Sequence, residues 1–145
     1  MRRFLTFMLT FALTGTALMA AGEKAKTAQD MDAAMKKVGK TQQDLNKAIN
    51  AMAYADAKKS VEILKTTLTD AENFWAVNKK PDAQQFSKDV LAKLDVLEKT
   101  LSDKAPDQAK ATAAYRDAAT TCNSCHKVYR GVDANNQFII KPGTV

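Results

Sequence analysis

The chain predicts an all-α protein, an antiparallel up-down-up-down four-helix bundle, on three observations. Between Glu23 and about Arg130 apolar residues recur at alternating spacings of four and three, the period of an amphipathic helix. The same region is rich in Ala, Lys, Gln, Asp and Leu, with little glycine and no strand-like alternation. Breaks fall at Pro81-Asp82 and Pro106-Asp107, where proline suits the first turn of a new helix. Connections this short make neighbouring helices antiparallel.

The segment 1–21 stands apart and reads as a secretory signal peptide. Arg2 and Arg3 form its charged start, Phe4 to Leu18 its apolar run, and Ala20-Ala21-Gly22 offers small residues for cleavage. The apolar run carries Thr6, Thr10, Thr14 and Thr16 and falls short of the roughly 20 apolar residues of a membrane span. Cleavage rather than anchoring is expected, with no stable membrane insertion afterwards. About 124 residues remain, enough for one domain around a single core. Losing Arg2 and Arg3 takes the basic count from 22 to 20 against 16 acids, so the net charge falls from +6 to +4. The lysines are scattered along helical faces, as on a solvated surface, so neither nucleic acid nor anionic lipid is implied. A mild preference for an acidic partner is.

The bundle is expected over 22–131. Its first helix carries Met31, Met35, Val38, Leu45, Ile49 and Met52 along one seam, interrupted by the polar Gln42. The second, starting near Asp56, carries Ala57, Val61, Leu64, Leu68, Ala71 and Trp75. The third carries Ala83, Phe86, Val90, Leu94, Leu97 and Leu101. The fourth carries Ala109, Ala113, Ala119, Cys122, Cys125 and Tyr129, and Gly131 is placed as the glycine that ends it. The tail, 132–145, holds Asn135-Asn136, an apolar Phe138-Ile139-Ile140 patch and Pro142-Gly143.

Chemistry concentrates in Cys122-Asn123-Ser124-Cys125-His126, which contains the chain's only two cysteines and its only histidine. C-x-x-C-H is the attachment signal for c-type haem: two thiols add to the two vinyl groups and the histidine offers a ring nitrogen to the iron. On a helix, positions three and four apart share a face, so Cys122, Cys125 and His126 would address one ring. A redox C-x-x-C would sit in a βαβ context, which this pattern does not supply. Structural zinc wants four Cys or His ligands against the three present. A disulfide would leave His126 without a role. Export and haem attachment agree, since thiol addition belongs outside the reducing cytosol, and a bacterial periplasm is the expected setting.

Depth along the bundle points to the opposite axial ligand. With the first and fourth helices antiparallel, Ala53 lies level with Asp107. At about 1.5 Å per residue, His126 then sits roughly 28 Å below that level and Met35 roughly 27 Å below it. Met35 is therefore the expected second ligand, methionine being a known haem donor. Met31, one turn further down, is a minor alternative, and Met35 as a plain core residue is the bland one.

The run from Cys122 to Arg130, C-x-x-C-H-x-x-Tyr-Arg, resembles the signature of class II c-type cytochromes, the cytochrome c′ family. Ala113-Ala114-Tyr115-Arg116-Asp117 is similar to that family's Ala-Ala-Phe-x-Asp run, and Ala34-Met35-Lys36-Lys37-Val38-Gly39 to its first-helix segment across the haem. Val61-Glu62-Ile63-Leu64-Lys65 resembles its second helix more loosely. The resemblance implies one haem c held between helices, with Arg130 beside it on the proximal side. Methionine at the distal position implies a six-coordinate, low-spin electron carrier, whereas an apolar non-ligand there gives a five-coordinate protein that binds nitric oxide or similar gases. Met31 stands where many members carry a basic residue, a departure that bears on propionate pairing. The resemblance also allows a homodimer, since many members pair through their first two helices.

One-electron transfer with redox partner proteins is the leading expectation, and gas binding the alternative. An enzyme is not expected: peroxidase-type chemistry wants a distal acid-base group, the single histidine is committed, and Asp32 and Asp44 read as solvated face. For the tail, an arm packed on the bundle, a frayed end and a cover over the haem edge all remain open.

Overall fold

The structure, a computed structural model, describes residue 25 and residues 27–145; the expected signal segment 1–21 lies outside the described residues. Four helices and one small hairpin account for the fold: α1 Ala28–Asn50, α2 Tyr54–Val77, α3 Pro81–Leu101, α4 Gln108–Tyr129, β1 Arg130–Val132 and β2 Phe138–Ile140. None of the described helices is long and apolar enough to cross a membrane.

Each helix starts for a local reason. Thr27 and Asp30 form a reciprocal capping box at the head of α1: Thr27 Oγ1 accepts from the Asp30 amide at 3.1 Å and Asp30 Oδ2 from the Thr27 amide at 2.9 Å. Pro81 opens α3 at its first turn. The Asp107 side chain caps α4 by accepting from the Lys110 amide at 2.9 Å. Met52, expected in the first seam, instead lies beyond the end of α1 at φ 55° and is 61% exposed. The chain reverses there within three residues, so the side chain is carried away from the core.

The helices pack in sequence, α1 on α2, α2 on α3 and α3 on α4, and α1 also meets α4 and β2. Gln108 Nε2 donates to the Asn50 carbonyl at 3.0 Å, and the Tyr115 hydroxyl to the Gln42 carbonyl at 3.3 Å. The core divides into two clusters. The larger joins Leu45, Ile49, Val61, Leu64, Leu94, Leu97 and Leu101 with their neighbours, and the smaller joins Met31, Ala71, Phe74, Trp75 and Ala83. All the expected seam positions of α2 are buried, as are those of α3 apart from a half-buried Phe86.

The expected seam of α4 is corrected. Ala109 and Ala113 are exposed and Ala119 half-buried, while Ala111 and Ala118 are buried. The inward stripe runs Ala111, Tyr115, Ala118, Cys122, Cys125, Tyr129, an unbroken alternation of four and three. In an alanine-rich helix hydrophobic contrast is weak, and the larger Tyr115 decides which alanines turn inward.

Gly131 does not cap α4 either. It pairs with Ile139 inside the antiparallel hairpin, whose register also matches Arg130 with Ile140 and Val132 with Phe138. The boundary expected at 131 thus falls inside β1. The end of α4 is satisfied from the tail: Lys141 Nζ donates to the Val128 carbonyl at 2.7 Å and the Lys127 carbonyl at 3.3 Å, and the Lys141 amide to the Tyr129 carbonyl at 2.9 Å. A cation at the carboxyl end of a helix also suits its dipole. Asp133 Oδ1 holds the turn by accepting from the Asn135 and Gln137 amides, both at 2.8 Å. The Ile140 amide donates to Asp32 Oδ1 on α1 at 2.9 Å. The tail is an ordered arm packed on the bundle.

Candidate functional site

At the end of the bundle where α4 finishes, the core gives way to a cavity of about 340 Å3, within the usual range for small-molecule pockets. Its walls come from both clusters, Val38, Leu68 and Val90 from one and Met31, Ala71 and Trp75 from the other. Met35, Cys122, Cys125, His126 and Arg130, the residues singled out in the sequence, all line it. Cys122, Cys125 and His126 lie on the last turns of α4, half-buried, where helical spacing sets them on one side. Met35 reaches the cavity from α1, half-buried and packed against both clusters. Met31 also touches it but is only 1% exposed, packed with Ala71 and Trp75.

The polar surroundings are consistent with neutral groups. Both sulfurs are free thiols. Burial raises the Cys122 thiol above its ordinary value, partly offset by the Gln42 side-chain amide, which donates to Sγ at 3.7 Å. Burial also pushes Cys125 up to about 11, helped by the nearby Cys122 and Asp82. His126 is held below its ordinary value, first by burial and then by the Arg130 cation. A neutral imidazole is the form that ligates metal. The Tyr129 hydroxyl donates to Asp82 Oδ1 at 2.6 Å, and its ring lies 4.9 Å from that of Trp75. The polar Gln42 in the α1 seam is accounted for by its side-chain amide, which donates to Cys122 Sγ on the cavity wall.

A rise in the Cys125 value from 9.0 to about 11 leaves about a hundredfold less thiolate at any pH below both. In the folded haem-free chain at pH 8, Cys125 is therefore expected to alkylate at least a hundredfold more slowly than in urea. Mass spectrometry after timed iodoacetamide pulses checks this, and equal rates would show that the thiol is not buried. The unfolded chain ionises first as the pH rises, so the thiol's contribution to stability is complete below pH 9 and is lost between 9 and about 11. Attachment of a group to these sulfurs is favoured before the chain closes around them.

The residues present fit a covalently attached haem. Two thiols and an imidazole meet one apolar cavity, with a thioether from the neighbouring helix on the same wall set. Gly39 supplies an independent sign. It lies in mid-helix, one turn beyond Met35, where glycine costs about 1 kcal/mol relative to alanine. Nothing among the described residues requires it: its φ is not positive, and a Cβ built there meets none of them within 4 Å. Gly39 lines the cavity, so the space it leaves faces whatever the cavity holds. Among the described residues no group of three or more His, Cys, Asp or Glu side chains is placed to hold a metal ion by itself.

The sequence located the α1 and α4 walls, left the tail open as a cover, and missed α2 and α3. Leu68, Ala71, Trp75, Phe86, Ser87 and Val90 bring in α2 and α3, and Phe138, Ile139 and Ile140 bring in the hairpin. Phe86 is half-buried because it faces the cavity instead of the core. Asp32, read as solvated face, borders the cavity and anchors the hairpin. Its apolar neighbour Met31 gave no hint of this, since the anchor depends on a tail over a hundred residues away.

No protein-family model, curated protein or solved structure matches the chain. The resemblance to class II c-type cytochromes rests on the quoted sequence runs alone.

Proposed function

We propose that this protein is an exported c-type cytochrome of the class II kind that carries single electrons on one haem c. The observation that carries this reading is the convergence of Cys122, Cys125, His126 and Met35, from two helices, on one apolar cavity. Cys122 and Cys125 would hold the haem by thioether bonds, and His126 and Met35 would be the donors to its iron. The haem supplies a one-electron iron couple when bound. Donors kept in both oxidation states hold the coordination nearly constant, which suits electron transfer, and a thioether favours the reduced form relative to a second imidazole. Met35 is preferred to Met31 because it stands half-buried at the cavity between the two clusters, while Met31 is enclosed in the smaller one. An up-down-up-down course is supported by the pairing of Gln108 with Asn50 and of Tyr115 with Gln42, in which one helix ascends as the other descends. A periplasmic location rests on the segment 1–21. A non-enzymatic role rests on the reading that the single histidine, His126, is committed to the iron.

The test is an absorption spectrum of the purified holoprotein, oxidised and reduced, with and without carbon monoxide, beside Met35→Ala. The expected result is a sharp low-spin reduced spectrum indifferent to carbon monoxide until Met35 is removed. A high-spin spectrum that shifts with carbon monoxide in the unaltered protein would replace the electron carrier with a five-coordinate gas binder.

A further inference from the structure

His126 lines two spaces. One is the cavity; the other is an open groove on the outside of the molecule formed by Thr120, Asn123, Lys127, Arg130, Val132 and their neighbours. The C-terminal hairpin makes the rim of this groove. Its cross-strand pair Val132 and Phe138 lines the groove, each 58% exposed, and Phe138 also borders the cavity. Exposed apolar side chains grouped in this way mark contact sites more often than singly scattered ones do. The charges around them are unbalanced. The groove is lined by two cations, Lys127 and Arg130, and by no carboxylate, the nearby acids Asp32 and Asp82 being bonded to the Ile140 amide and the Tyr129 hydroxyl. Lys141 is fixed by its bonds to the α4 carbonyls, Arg130 lies 4.3 Å over the Phe138 ring, and Asp133 is turned to its own loop amides.

We infer that this face, Val132 and Phe138 beside Lys127 and Arg130, is where a redox partner docks, and that the partner is a protein presenting acidic groups around a small apolar spot. The inference rests on the electron-carrier reading and adds the surface and the chemistry of the partner. A few apolar side chains beside two cations suit the small, transient encounters of redox proteins, in which charge steers association and the apolar centre sets the contact. The groove reaches His126, so a partner seated there lies against the residue assigned to the iron.

The test uses the full holoprotein. Its reduced form is mixed in stopped flow with an acidic blue-copper protein as probe, across a range of ionic strength, and its oxidised form separately with a neutral quinol. Lys127→Glu and Val132→Asp are compared with Lys104→Glu, which lies in the connection between α3 and α4. Lys127 and Val132 border the groove but not the cavity. Each groove variant is expected to slow the reaction with the acidic probe about tenfold at low salt and to flatten its salt dependence. Lys104→Glu stays within twofold of the parent, and every quinol rate is unchanged. Carbodiimide cross-linking to the probe is expected to yield a peptide joined through Lys127. Groove variants that react with the probe like the parent, with no Lys127 cross-link, would overturn the docking face and leave the carrier standing. Lack of exchange with the quinol in every form would overturn the carrier, and the docking face with it. Capture of the holoprotein by anionic lipid vesicles that Lys127→Glu abolishes, with probe rates unaltered, would assign the face to a membrane surface instead.

Discussion

Replacing Cys122 and Cys125 together by serine is expected to abolish haem retention under denaturing conditions. Haem staining of a denaturing gel should fall from one haem per chain to background, the largest change available from two atoms. Serine keeps the size of the side chain but cannot form the thioether, so packing loss is not the cause. Either single variant leaves one thioether and an intermediate stain. Stability should follow. The cavity interrupts the core between its two clusters, and an unfilled volume costs about 24 cal/mol per Å3 in a closed site. Because this cavity of about 340 Å3 is open to water on one side, the expected loss is about 2–4 kcal/mol, which leaves the haem-free chain folded. Thermal unfolding followed by circular dichroism measures it. Full haem retention by the double variant would remove C-x-x-C-H as the attachment site.

Gly39→Leu is expected to act in opposite directions with and without the haem. In the haem-free chain the new side chain enters open space and replaces a poor helix former by a good one, so stability rises by about 0.5–1 kcal/mol. In the holoprotein the same side chain occupies room the haem needs. Haem content should fall at least fivefold, or the low-spin spectrum should disappear in the fraction that retains it. Gly39→Ala, with one added carbon, should lie between. Urea unfolding of the haem-free forms and haem-to-protein absorbance ratios of the secreted forms make the comparison. A Gly39→Leu holoprotein with normal haem content and an unaltered spectrum would show that no ring lies over Gly39.

Much of the fold was legible because it follows from local physics. A four-three spacing marks the face that leaves water, and the six seam residues from Ala57 to Trp75 were recognised on that basis and are all buried. Proline, Asp107 and the short connections place helix starts for equally local reasons. Where the signal weakened, so did the reading. In α4, alanine occurs on every side, and the inward stripe follows the packing of Tyr115 and Ala118 against other helices. The stop of α1 before Met52 depends on a three-residue reversal that hydrophobic spacing does not encode.

The candidate site divides in the same way. By itself the sequence located the α4 wall of the cavity, because Cys122, Cys125 and His126 lie within five residues and a helix turns them to one side. It also placed Met35, because the rise along two helices fixes relative depth. Only the tertiary structure decided the other walls. Trp75, Phe86 and Val90 meet the cavity through α2 and α3, and their spacing is the same as that of any core residue. The turn of the hairpin is local, held by Asp133, but its seat on the bundle is decided by distant contacts: Asp32 on the first helix holds the Ile140 amide, and Lys141 reaches back to the carbonyls of α4. Periodicity reports which face of a segment avoids water. What that face meets, a neighbouring side chain or a space kept for something else, is settled only when all four helices and the tail come together.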